Sequence, residues 1–75
     1  MPPVPLARPR EVIRAFEKLG WRVVRRKGSH VMLSRLGGLL HSPFRTNALV
    51  ARGTLRALIA RAGMTVEEFL TAREG

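Results

Sequence analysis

Apolar residues recur at helical spacing early in the chain. Val12, Ile13, Phe16 and Leu19 share one face of a helix that Pro9 can open and Gly20 can close. Arg10, Arg14 and Lys18, four apart, fall on another face, so this helix covers a core and shows a basic ridge outward. Ahead of it, residues 1–7 hold three prolines and read as an extended start where flexibility is expected. The period then shortens. Trp21 to Lys27 reads as a strand, Ser29 to Arg35 as a second, and Leu39 to Phe44 as a short third ending near Pro43. Lys27-Gly28 and Gly37-Gly38 supply the tight turns between them. After a polar connection Thr54 starts a second helix, with Leu55, Leu58, Ile59 and Ala62 as core candidates and Gly63 as its stop. Thr65 and Glu68 form a capping box, and Met64 can staple onto Phe69, opening a short last helix that runs towards Arg73. The pattern predicts one α+β domain over residues 1–75, in the order α-β-β-β-α plus a small terminal helix. Its compact form is a three-stranded antiparallel meander with the helices on one face.

Hairpin arithmetic then places side chains together. With Lys27 and Gly28 in the first turn, His30 faces Arg25, Met32 faces Val23 and Ser34 faces Trp21. With Gly37 and Gly38 in the second, His30 faces Arg45 and Ser34 faces His41. One face therefore collects Trp21, Val23, Arg25, His30, Met32, Ser34, His41 and Arg45. The other collects Val24, Val31, Leu33, Leu40 and Phe44, with Arg22, Arg26 and Arg35 towards its edges. This second set is the more apolar and is expected to meet the helices. A slip of one residue would exchange the two faces.

Composition narrows the function. A chain of 75 residues buries only about 60% of its unfolded surface, so its core is small. The absence of cysteine excludes disulfide scaffolds, cysteine zinc sites and thiolate chemistry. No apolar run approaches a signal-peptide core or a membrane span, and a soluble cytoplasmic protein without a leader is expected. Fourteen basic residues face five acidic ones, for a net charge of +9, and twelve of the fourteen are arginine. Such a surface attracts polyanions, and the guanidinium fork suits phosphate. A merely solvated basic surface is the plainer alternative. Nucleic-acid contact is favoured over it because no acidic cluster compensates the charge. Membrane-surface binding is less favoured, because the basic residues are spread over several elements.

His30 emerges among cations on an open sheet face, just after Gly28 and Ser29. RNA cleavage needs a group that deprotonates the 2′-hydroxyl and donors that stabilise charge on the phosphate. His30 suits the first task; Arg25, Lys27 and Arg45 suit the second. No carboxylate set able to hold magnesium is visible, so the expected chemistry is metal-free and without a cofactor. His41 falls four residues along the sheet from His30, roughly 13 Å at standard strand rise. That separation speaks against a two-histidine mechanism and leaves His41 a surface or partner-contact role. Gly53 and Thr54, with Arg52 and Arg56 beside them, mark a second phosphate site at a helix start, or plain capping.

Three segments together resemble one family: Lys27-Gly28-Ser29-His30, Gly53-Thr54-Leu55-Arg56, and Ala62-Gly63-Met64-Thr65-Val66-Glu67-Glu68-Phe69. In order and spacing they are similar to the HicA toxins of bacterial and archaeal toxin–antitoxin systems, from about Arg8 to Leu70. The resemblance implies a fold like the double-stranded-RNA-binding domain. It implies a metal-independent mRNA interferase, and a HicB-type antitoxin that masks the active face. It maps the essential histidine to His30. RNA contacts are then expected from Arg25, Lys27, Gly28, Ser29, Arg45, Arg52 and Arg56, with Arg14 and Lys18 on the helical ridge. One departure stands out. Family members commonly carry a second histidine two residues after a proline, and here Pro43 is followed by Phe44 and Arg45. Arginine can stabilise a phosphorane but shuttles protons poorly.

Two other readings compete. A non-catalytic module of the same fold would bind duplex RNA by shape and phosphate contacts. A helix-turn-helix over residues 54–73 would bind DNA, although Glu67 and Glu68 at its leading end would meet phosphate oxygens. Trp21, Val23 and Met32 make the expected His30 face more apolar than an open face needs, which suggests a protein partner covers it.

Overall fold

The computed structural model describes residues 4–28, 30–43 and 49–74. Helix α1 (Pro9–Lys18) precedes three strands, β1 (Arg22–Lys27), β2 (His30–Arg35) and β3 (Gly38–Pro43), and two helices follow, α2 (Arg52–Arg61) and α3 (Val66–Glu74). The strands form one antiparallel sheet in the order β1-β2-β3, the α+β arrangement read from the sequence. Among the described residues no helix is long and apolar enough to cross a membrane.

Local chemistry explains the helix ends. Pro9 sits in the first turn of α1, with Glu11 near the positive end of the helix and Lys18 near the negative end. At its close the amide of Trp21 donates to the Phe16 carbonyl, and the Gly20 amide to that of Glu17. This is a Schellman closure, and it needs the left-handed φ of 101° at Gly20. The same pair of bonds, Met64 to Ile59 and Gly63 to Ala60, ends α2. Opening α3, the Thr65 amide donates to Glu68 Oε1 at 2.8 Å and the Glu68 amide to Thr65 Oγ1 at 3.1 Å. The capping box is formed as expected.

These closures aim apolar side chains at one core. Phe16 lies edge-on to Phe69, with ring centroids 6.1 Å apart, and 6.3 Å from Trp21. Val31, Leu33 and Leu40 join them from the sheet, and Leu55, Leu58 and Ile59 from α2. Residues 4–7 are extended, as their sequence suggests, and they are also docked. Val4 is buried, the Val50 amide donates to the Ala7 carbonyl at 2.7 Å, and Arg52 Nε donates to the Val4 carbonyl at 3.1 Å.

The sheet register departs from the hairpin arithmetic in three places. Lys27 pairs with His30, so the first turn lies one residue later than Lys27-Gly28, and Gly28 carries a φ of 58° there. Arg25 therefore pairs with Met32, not His30. A bulge between Val23 and Arg25 then leaves Val24 as the extra residue, 48% exposed, and exchanges the faces beyond it. Trp21 and Val23 consequently join the helix side, and Arg22, paired with Ser34, joins the His30 side. Burying a tryptophan removes about 150–250 Å², roughly 4–6 kcal/mol at 25 cal/mol per Å². That exceeds the ladder bond a bulge forgoes.

The second turn is Leu36-Gly37, and Gly38 already pairs with Arg35 in the ladder. Both turn residues have positive φ, 51° at Leu36 and 83° at Gly37. A leucine there costs about 1–2 kcal/mol. The register offsets this cost. It sets Leu40 directly opposite Leu33 in the core, where the Gly37-Gly38 turn would have put Leu40 opposite the exposed Arg35. A buried leucine side chain contributes about 1.5–3 kcal/mol, and the core decides the turn.

Candidate active site

Helices cover only one face of the sheet. On the face they leave open, the register places Arg22, Arg25, Lys27, His30, Met32, Ser34, Leu39 and His41. His30, His41, Arg25 and Lys27 are all exposed, and Met32 and Ser34 are half-buried. No carboxylate shares this face among the described strands. The five glutamates lie in α1 and α3, where Glu11 pairs with Arg73 at 3.2 Å and Glu68 caps its helix. Among the described residues, the carboxylate-free open face therefore carries only basic charged side chains, Arg22, Arg25 and Lys27.

Near the first-turn end of this face two histidines touch. His30 begins β2 opposite Pro43, and His41 lies two residues along β3, opposite Met32. Such diagonal cross-strand neighbours are within reach of aromatic side chains. His30 Nδ1 stands 3.0 Å from His41 Nε2, a hydrogen bond whose donor depends on the tautomers. The rings are nearly parallel, 16° between planes, with centroids 4.9 Å apart. Their nitrogen contact is closer than the roughly 3.5 Å separation of stacked carbon atoms. The rings are thus offset and meet nitrogen to nitrogen. This corrects the expected separation of roughly 13 Å and removes its objection to a two-histidine site. The cause is the second turn: the pairing of β2 with β3 is shifted by two residues, which halves the offset along the strand and keeps the same face.

The other expected site residues are distributed unevenly. Arg25, Lys27 and Gly28 sit with His30 around the first turn. Ser29 and Arg45 lie outside the described residues, and Pro43 takes the place opposite His30 that had been expected for Arg45. Arg14 and Lys18 are exposed on α1, across the sheet from His30, and do not share its face. Arg52 fastens the chain start through its Nε, while Arg56 is free of hydrogen bonds to other described residues and exposed on α2. Helix α2 starts at Arg52 with Ala51 as its cap, so Thr54 is the third helical residue and not the expected starter. Of the apolar patch expected beside His30, only Met32 remains there. Trp21 and Val23 belong to the core, and Leu39, 67% exposed, takes their place on the open face. Among the described residues no group of three or more His, Cys, Asp or Glu side chains gathers as metal ligands.

Among the polar residues of the open face, His41 lies nearer His30 than the hairpin arithmetic predicts, and Arg22 joins the face against it. Alternation had already assigned His41 to the correct face; a turn at Leu36-Gly37 would have brought it beside His30. Comparison with known proteins adds the family. No curated protein matches the chain. The family model of the HicA toxin of bacterial toxin–antitoxin systems matches residues 9–64, from the start of α1 through the closure of α2. That span includes the whole sheet and the histidine pair, and the chain belongs to the HicA toxin family.

Proposed function

We propose that this toxin is a metal-independent endoribonuclease that cuts mRNA, with His30 as its catalytic residue. The observation that carries the reading is the exposed histidine pair on a cationic sheet face free of carboxylates. An RNA backbone supplies both the nucleophile and the electrophile, so the protein needs a base and positive charge. His30 takes the 2′-hydroxyl proton, and the 2′-oxygen bonds to the adjacent phosphorus. The bond from phosphorus to the 5′-oxygen breaks, and that oxygen leaves as a hydroxyl after taking a proton from solvent. The products carry a 2′,3′-cyclic phosphate and a 5′-hydroxyl. Arg25 and Lys27 lie where they can hold the phosphate oxygens as charge builds.

A HicB-type antitoxin is the proposed partner. Met32 and Leu39 offer it apolar contact on the same face, and its cover would shut RNA away from His30. The test is incubation of the purified chain with end-labelled mRNA in excess chelator, beside His30→Ala. Discrete fragments from the wild type alone support the reading. Equal RNA binding by both proteins with intact RNA throughout would instead identify a binding module of the same fold.

A further inference from the structure

We infer that His41 is a positioning residue for His30: it accepts the Nδ1–H of the His30 ring and turns the His30 Nε2 lone pair to the substrate. The inference deepens the ribonuclease reading and rests on it.

The 3.0 Å contact consumes one nitrogen of each ring. His30 then has only Nε2 left for chemistry, and a base needs a lone pair there. A neutral ring with its lone pair on Nε2 carries its proton on Nδ1, the less favoured tautomer of free histidine. An acceptor at Nδ1 is what selects it. His41 Nε2 is that acceptor, with the His41 proton on its own Nδ1.

The reacted state decides the direction of the bond. Once His30 has taken the 2′-proton, both of its nitrogens carry hydrogen. If His41 were the donor, two N–H groups would then face each other and the contact would break. With His41 accepting, the bond persists and becomes charge-assisted. It is therefore stronger after proton transfer than before, the condition under which an interaction raises a rate.

A carboxylate usually orients a catalytic histidine in this way. Here no aspartate exists, and the glutamates belong to helices beyond the opposite face. The second histidine fills the role from a neighbouring strand. Its place is set by the Leu36-Gly37 turn and the burial of Leu40.

Nitrogen-15 spectra of the imidazoles in the intact protein read the tautomer directly. Wild-type His30 should carry its proton on Nδ1, and His41→Ala should move it to Nε2. In the chelator assay His41→Ala should lower kcat about a hundredfold at little changed KM, the scale of loss for a displaced catalytic group. His41→Gln keeps an acceptor oxygen near the Nε2 position and should restore kcat to within about tenfold of wild type. An unchanged His30 tautomer in His41→Ala, or an unchanged kcat, overturns the inference even where His30→Ala is dead. A wild type that leaves RNA intact overturns the ribonuclease reading itself, and this role with it.

Discussion

The two faces of one sheet divide the work of this protein. Along β2, Val31 and Leu33 point into the helix layer and are buried, while His30, Met32 and Ser34 alternate with them on the open side. A period of two thus lets one strand turn a buried set to the helices and another set to the open face. The helix side is held by interlocked rings and aliphatic chains, so its residues are costly to shorten. The open side carries exposed charges and imidazoles, whose removal leaves no cavity. Changes on one face should be felt in melting, and changes on the other in RNA.

The largest expected effects break the comparison most cleanly. His30→Ala should lower cleavage about 10²–10⁴-fold, the usual contribution of general acid–base catalysis, with the melting temperature unmoved. Phe69→Ala should do the reverse in a denaturant titration: a loss of about 3–5 kcal/mol for a buried aromatic, while the fraction still folded keeps its specific activity. A His30→Ala protein that melted early would mean that the open face also carries the fold. Next come the cations. Arg25→Ala and Lys27→Ala should each weaken RNA binding across all sequences and reduce its salt dependence by about one phosphate contact. Arg14→Ala, across the sheet, should leave cleavage unchanged.

Smaller effects sharpen the picture of how the faces are set. Thr65→Ala removes one half of the capping box and should cost about 1 kcal/mol of stability. Leu36, 94% exposed at a φ of 51°, contributes nothing to either face except the register. Replacing it with asparagine, which tolerates this backbone, should raise stability by about 0.5–1 kcal/mol in a thermal melt. A loss there would mean that the leucine makes a contact the turn argument omits.

Most elements were legible because their signals are local. Pro9, the Gly20 and Gly63 closures and the Thr65–Glu68 box each act within one helical turn, and the structure has them all. The strands were legible too, and so was the apolar trio Val31, Leu33 and Leu40. The register was not. Turn chemistry favours two glycines at a hairpin tip, and here a leucine takes the strained position because Leu40 gains more in the core than Leu36 loses. The bulge at Val24 arises likewise from the burial of Trp21, a tertiary demand that strand alternation does not carry. His30 is legible because Arg25 and Lys27 stand just before it in the sequence. Its contact with His41 depended on the turn and was hidden with it.

The central claim is that the open face uses His30 to activate a 2′-hydroxyl. It is tested most directly by giving the wild type, in excess chelator, a transcript cut at a defined position and the same transcript with a 2′-methoxy group there. The account predicts that the natural RNA is cut to a 2′,3′-cyclic phosphate end and that the blocked site stays intact, although both RNAs bind alike. Cleavage at the blocked site would contradict it, because the nucleophile would then not be the RNA's own hydroxyl.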